Sequence, residues 1–271
     1  MPAAVEIKSV KFCSFLCIFS KLVLLFVYKK LSAMKYILSI LFLLQALAVC
    51  CQQNKVVDVG KEIVNVSPAR FFTVGGEPVS NAKYIRVVEG TPYFNEAWMK
   101  GSLDLSDGHG YENLWLKIDL TDNSLLYLDA DGKEMIATSV IKNVTLIDSV
   151  TGKKYIFVHS SFINCTGKIK PGWYQRIVPG RASVYKHYAK IINETKPYGS
   201  ATYEQTIVTA TNYFLLADSL FLPIKKFKAL PGMLKNKKDE LNQYISNTNL
   251  SGKTDADYAE LVLYYNSLFV K

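Results

Sequence analysis

Trp98-Met99-Lys100-Gly101-Ser102-Leu103-Asp104-Leu105, then Ser106-Asp107-Gly108-His109-Gly110, then Leu114-Trp115-Leu116-Lys117-Ile118-Asp119-Leu120 is the stretch whose reading decides the fold. In the first part, Trp98, Lys100, Ser102 and Asp104 alternate with Met99, Gly101, Leu103 and Leu105, the period-two pattern of a strand with one buried face. Glycine and aspartate in the middle part supply the conformations of a tight reversal. The third part returns with Leu114, Leu116, Ile118 and Leu120 on one face, so the whole reads as a β-hairpin.

Outward from the hairpin the same signals repeat. Lys83–Val88 reads as a strand before it. Leu125–Leu128, Glu134–Thr138, Val144–Ser149, Tyr155–His159, Tyr174–Val178, Ala182–Ile192, Tyr203–Ala210 and Asn212–Leu216 read as strands after it. Asp129-Ala130-Asp131-Gly132 and Ser149-Val150-Thr151-Gly152-Lys153 are turns between them. No amphipathic helix of ten residues separates these strands. That excludes a parallel nucleotide-binding sheet and predicts a mainly β fold of the α+β kind: an antiparallel sandwich, curled sheet or partly closed barrel.

The pattern changes near Pro223. Lys225–Leu234 forms a helical turn around Pro231-Gly232, and Lys237–Asn247 places Leu241, Tyr244 and Ile245 on one helical face. Thr254 is an N-cap with acids in the first turn behind it, followed by Tyr258, Leu261, Val262 and Tyr265 at helical spacing. Isolated helices of this length are marginal in water, so two or three C-terminal helices pack on the β domain. The expected organisation is an N-terminal segment over 52–82, a β domain over 83–222 and a helical tail over 223–271.

The first 51 residues are of another kind. Met34-Lys35 introduces an apolar run, Tyr36 to Val49, and the polar pair Gln52-Gln53 follows, the layout of an export signal over 34–51. On that reading translation starts at Met34, and residues 1–33 are a mis-assigned upstream extension. If Met1 is the start, Phe12–Tyr28 and Tyr36–Val49 form a membrane hairpin or tandem anchor instead. Cys50 and Cys51 are candidates for lipidation, because Leu47-Ala48-Val49-Cys50 approximates a lipoprotein cleavage box, with valine where a smaller residue is expected. The expected location is therefore the periplasm, the cell envelope or the exterior.

Charge and cysteine content narrow the function. Residues 1–51 hold six of the 32 basic residues and one of the 23 acidic ones, so a net charge of +9 falls to +4 beyond them. So slight an excess singles out no phosphate backbone, and nucleic acid is not an expected partner. Cys165 is the one cysteine beyond the signal, and its expected role is structural. His109, His159 and His187 match no metal-ligand spacing, Asp129 and Asp131 lack the remaining ligands of a calcium loop, and no Gly-x-Ser-x-Gly elbow occurs. No catalytic residue, metal or cofactor is expected. Five Asn-x-Ser/Thr sequons, at Asn65, Asn143, Asn164, Asn193 and Asn249, carry little weight behind a bacterial signal.

Aromatic residues are the one excess of use. Trp98, Trp115, Trp173 and Tyr174 are candidates for a ligand-facing platform, set against the simpler role of core and cross-strand packing. Tyr93-Phe94-Asn95-Glu96-Ala97-Trp98-Met99-Lys100-Gly101, Gly172-Trp173-Tyr174 and the tail from Leu234 to Phe269 resemble a group of exported Bacteroidota proteins with no assigned activity. In that tail Lys237-Lys238-Asp239-Glu240-Leu241 precedes Tyr244-Ile245, and Tyr264-Tyr265-Asn266-Ser267-Leu268 closes the chain. The resemblance implies an envelope location and transfers no active-site residue. The expected function is a non-catalytic binding or structural module engaging an envelope protein, glycan or lipid, with membrane anchoring through the N-terminus as a further expectation. The alternative is a hydrolase whose carboxylates converge only in the fold.

Overall fold

The computed structural model describes residues 56–58, 76–79, 84, 86–234 and 236–269. The export signal, Cys50 and Cys51 lie outside the described residues. Among those described there are thirteen strands. The first seven are β1 (Val56–Asp58), β2 (Gly76–Pro78), β3 (Val87–Glu89), β4 (Met99–Leu105), β5 (Gly110–Asp119), β6 (Ser124–Leu128) and β7 (Glu134–Ala137). Then come β8 (Ile141–Ile147), β9 (Lys154–His159), β10 (Trp173–Val178), β11 (Ala182–Thr195), β12 (Glu204–Ala217) and β13 (Leu220–Ile224). Helices α1 (Leu230–Met233), α2 (Lys238–Thr248) and α3 (Asp255–Ser267) close the described chain.

The expected hairpin is β4–β5. Leu105 N–H donates to His109 O at 2.8 Å, and Asp107 Oδ1 accepts His109 N–H at 3.0 Å, so the turn closes with its aspartate satisfying the backbone. One sheet runs in the order β13-β12-β11-β10-β9-β8-β4-β5-β6-β7-β2. It is antiparallel along this path and mixed overall, because β1 pairs parallel with β5 and β3 parallel with β12. The sheet is not closed. The described residues all fall in one compact unit.

Alternation sorts the side chains into three clusters. Leu103, Leu116, Ile118, Val144, Leu146, Phe157 and Trp173 lie on the inner face of the curled sheet. Farther along that sheet Val178, Ala182, Val184 and Leu215 are covered by Leu230, Leu241, Tyr258, Leu261, Val262 and Tyr265 from the tail. The opposite face of β9–β12 carries Val158, Tyr174 and Tyr185. Burying such rows at about 25 cal/mol per Å² of apolar surface is what holds tail to sheet.

A strap, Arg86 to Phe94, ties together two strands six places apart in the sheet order. At one end Gln205 N–H donates to Arg86 O at 3.1 Å, and the Arg86 and Glu204 side chains pair at 3.1 Å. At the other, Leu120 N–H donates to Pro92 O at 3.0 Å and Phe94 N–H to Ile118 O at 2.9 Å. The Phe94 ring then packs on Phe157 and Tyr155, with centroids 4.8 and 5.1 Å away.

Strands β1 and β2 join the sheet from the segment 52–82, where no strand was expected, and three further details differ from the sequence reading. The strand expected over Lys83–Val88 is only Val87–Glu89 among the described residues, because Arg86 and Gly90 both take positive φ, 51° and 78°, where the strap bends. The two strands expected over 203–216 are one, with unbroken register against β11. Strand β13 was hidden by Pro223, which fits on an edge strand because no ladder N–H is required there.

Candidate functional site

Burial of Met99, Gly101, Leu103 and Leu105 sends Lys100, Ser102 and Asp104 to the outer face of β4. Burial of Leu114, Leu116 and Ile118 does the same for Trp115 and Lys117 on β5. In register, Lys100 faces Trp115, and the Met99–Leu116 pair brings Trp98 opposite Lys117. Tryptophan and lysine therefore alternate in both directions across two strands. Lys100 Nζ lies 5.4 Å from the centre of the Trp115 ring; Lys117 Nζ lies 4.6 Å from that of Trp98 and 4.8 Å from that of Tyr93. Such contacts are worth about 0.5–1 kcal/mol at exposed sites.

The row continues sideways. Lys100 pairs with Ile147 of β8, and Ile147 with Lys154 of β9. Trp115 is 43% exposed, and Lys100 and Lys154 are exposed. Carboxylates stand farther off. Asp104 is four residues along β4 from Lys100, roughly 13 Å, and Glu134 is two strands beyond Trp115, roughly 10 Å. Glu112 and Asn113 share the outer side of a β5 bulge, where Asn113 takes φ 60° and bonds Asp58. A flat aromatic surface flanked by ammonium groups can stack on a ring and pair with an anion.

Trp173 and Tyr174 do not join this surface. They are 3% and 1% exposed and, as consecutive strand residues, point to opposite sides of the sheet. The Trp173 indole N–H donates to Asn123 O at 3.0 Å, fastening β10 to the β5–β6 turn. The Tyr174 hydroxyl donates to Lys170 O at 3.1 Å, and burial raises its pKa to about 12. Of the four residues of the candidate platform, Trp173 and Tyr174 are thus buried in packing, and Trp98 and Trp115 share the outer face of β4 and β5. The lysines were missed in the sequence, although Trp98-x-Lys100 and Trp115-x-Lys117 in opposed strands contained the signal.

Comparison of the chain with protein-family models, curated proteins and solved structures finds no match. Function therefore has to be argued from the chemistry of sites.

Elsewhere the titratable groups serve the fold. Asp119 is buried, which raises its pKa; its oxygens accept Thr121 N–H at 2.8 Å, Asp122 N–H at 3.4 Å and the Tyr84 hydroxyl. Burial lowers the pKa of Lys190, which donates to Thr209 Oγ1 at 2.9 Å. His109 pairs with Asp107 in the hairpin turn at 3.1 Å, while His187 lies against Tyr174, with ring centres 4.7 Å apart. His159 Nδ1 is 2.7 Å from Ser161 Oγ, and its ring meets Trp173 edge to face. Cys165 is half-buried beside the outer-face cluster. Among the described residues no group of three His, Cys, Asp or Glu could hold a metal, and no helix is long and apolar enough to cross a membrane.

Proposed function

We propose that this is an exported envelope protein, of the Bacteroidota group it resembles, that binds a glycan without chemical change on the outer face of β4 and β5. The observation that carries this reading is the exposure of Trp115 beside Trp98 on a sheet whose opposite face is fully packed. Aromatic faces stack on the C–H faces of sugars, and a rigid strand pair holds them without the entropic cost of ordering a loop. Affinity electrophoresis through glycan-containing gels tests it: Trp115→Ala should abolish retardation while leaving the circular dichroism unchanged. Retardation equal to the wild type would dispose of the platform. Export is tested separately by intact mass on fractionated native cells; a chain starting near Gln52, or a diacyl or triacyl mass on Cys50 or Cys51, is expected.

One observation favours a second reading. The contact between His159 and Ser161 is that of a base with a hydroxyl, and burial lowers the histidine pKa, keeping the ring neutral at pH 7. Yet no carboxylate orients that ring among its described contacts. A fluorophosphonate probe should leave the protein unlabelled; labelling lost in Ser161→Ala would make this the reactive pair.

A further inference from the structure

We infer that the glycan bound on β4 and β5 is acidic, a uronate-bearing or sulfated saccharide, with its anionic group held between Lys100 and Lys154. This rests on the glycan reading above and adds the charge of the ligand to it.

The order of residues across the strands carries the inference. Lys154, Ile147, Lys100 and Trp115 succeed one another on the outer faces of β9, β8, β4 and β5. Neighbouring strands are about 4.8 Å apart, so the two lysine positions stand roughly 10 Å apart with one isoleucine between them. Two exposed ammonium groups thus flank an apolar strip beside an exposed indole. No ion pair joins Lys100, Lys117 or Lys154 to a carboxylate among the described residues. The acids of this face, Asp104, Glu112 and Glu134, lie along the strands or on the far side of Trp115, and Asp148 at the end of β8 accepts hydrogen bonds within its own turn, from Val150 N–H at 2.9 Å and the Thr151 hydroxyl.

Charge is therefore split across the surface, positive toward β9 and negative toward β6–β7 and the β4–β5 turn. A neutral sugar would stack on Trp115 and gain from the lysines only hydrogen bonds to its hydroxyls, without the attraction of opposite charge. An acidic sugar stacked on Trp115 displaces the Lys100 ammonium from over that ring and places its carboxylate or sulfate toward Ile147, where Lys100, so released, and Lys154 reach it with charge-assisted hydrogen bonds. Lys117 is already seated over two rings and serves to hold Trp98 and Tyr93 in place.

The experiment is affinity electrophoresis and calorimetry of the full chain with polygalacturonate and chondroitin sulfate, against neutral dextran and an oligothymidylate. Binding to an acidic glycan is expected, lost in Trp115→Ala, weakened about tenfold in the Lys100→Gln, Lys154→Gln pair, and falling as salt rises. Both lysines are exposed, so their replacement tests the inference whether or not Trp115→Ala folds. Trp-dependent binding of dextran with no effect of the lysines would overturn the acidic assignment and leave the platform standing. Oligothymidylate binding as tight as that of the uronate would overturn the saccharide assignment in favour of a general polyanion site. A folded protein that binds none of the four would overturn both readings.

Discussion

Asp257 shows how much one side chain does in this fold. At the start of α3 it accepts the Ser251 hydroxyl at 2.8 Å, the Thr254 hydroxyl at 2.9 Å and Lys253 N–H at 3.0 Å, and its own N–H donates back to Thr254 Oγ1. Those bonds, that from Ser251 first, lower its pKa to about 2. Because the folded value lies below the unfolded value near 3.9, the stabilisation is complete above about pH 4 and is lost as pH falls toward 2. Asp257→Ala should cost about 1 kcal/mol in urea denaturation at pH 7, with the difference from wild type shrinking below pH 4. His187 has the same sign by another route: burial, then the nearby Lys170, lowers its pKa. The folded state resists protonating it, so stability is present above about pH 6.5 and declines as pH falls below that. Wild-type stability should therefore drop between pH 7 and pH 5, and His187→Gln should flatten that slope. The N-cap with its acidic first turn was plain in Thr254-Asp255-Ala256-Asp257, because such bonds are local; the setting of His187 depends on Tyr174, brought alongside by the β10–β11 register.

Elements were legible wherever they were made of local alternation. The hairpin at 98–120, the meander after it and the capped last helix all follow from spacing within a dozen residues. The strap did not show, since nothing in Arg86 to Phe94 alternates; its form is dictated by partners on β5 and β12, far away in sequence. The platform was half legible for the same reason. Aromatic content announced it, but only cross-strand register separates exposed Trp115 from buried Trp173. Two glycines test these elements. At Gly101 a Cβ would collide with Thr145 O across the β4–β8 ladder, so Gly101→Ala should lower global stability by about 2 kcal/mol or more. At Gly90, with φ 78°, a Cβ would collide with Ile207 O, so Gly90→Ala should lift the strap from β12. Hydrogen exchange then distinguishes the two. Gly90→Ala should speed exchange at the Gln205, Phe94 and Leu120 amides and spare the β4–β5 ladder, whereas Gly101→Ala should raise exchange throughout.

At the scale of the whole described fold, the question is whether tail and sheet unfold together. The inner-face cluster and the tail cluster meet along β10 and β11, where Gln175 accepts the Tyr188 hydroxyl at 2.5 Å. Beside it Lys186 Nζ donates to Asp255 at 2.9 Å and lies over the Tyr188 and Tyr213 rings, and the Tyr213 hydroxyl also bonds Asp255. Tyr188 belongs to the packing of the first cluster and Asp255 opens the helix that covers the second. A chain of hydrogen bonds and ring contacts thus crosses the seam between them, and removing either side leaves a partly buried charge without its partner. A tail merely resting on the sheet would melt first, as a separate step. The seam instead predicts one cooperative transition. Leu116 and Leu261 are both fully buried, one in each cluster, and truncating either to alanine should cost about 2–5 kcal/mol. In Leu116→Ala and Leu261→Ala alike, tryptophan fluorescence, which reports the sheet, and far-ultraviolet dichroism, which includes the helices, should shift together to a lower midpoint. Leu261→Ala with an early dichroism step and an unmoved fluorescence midpoint would show that the seam does not couple the two.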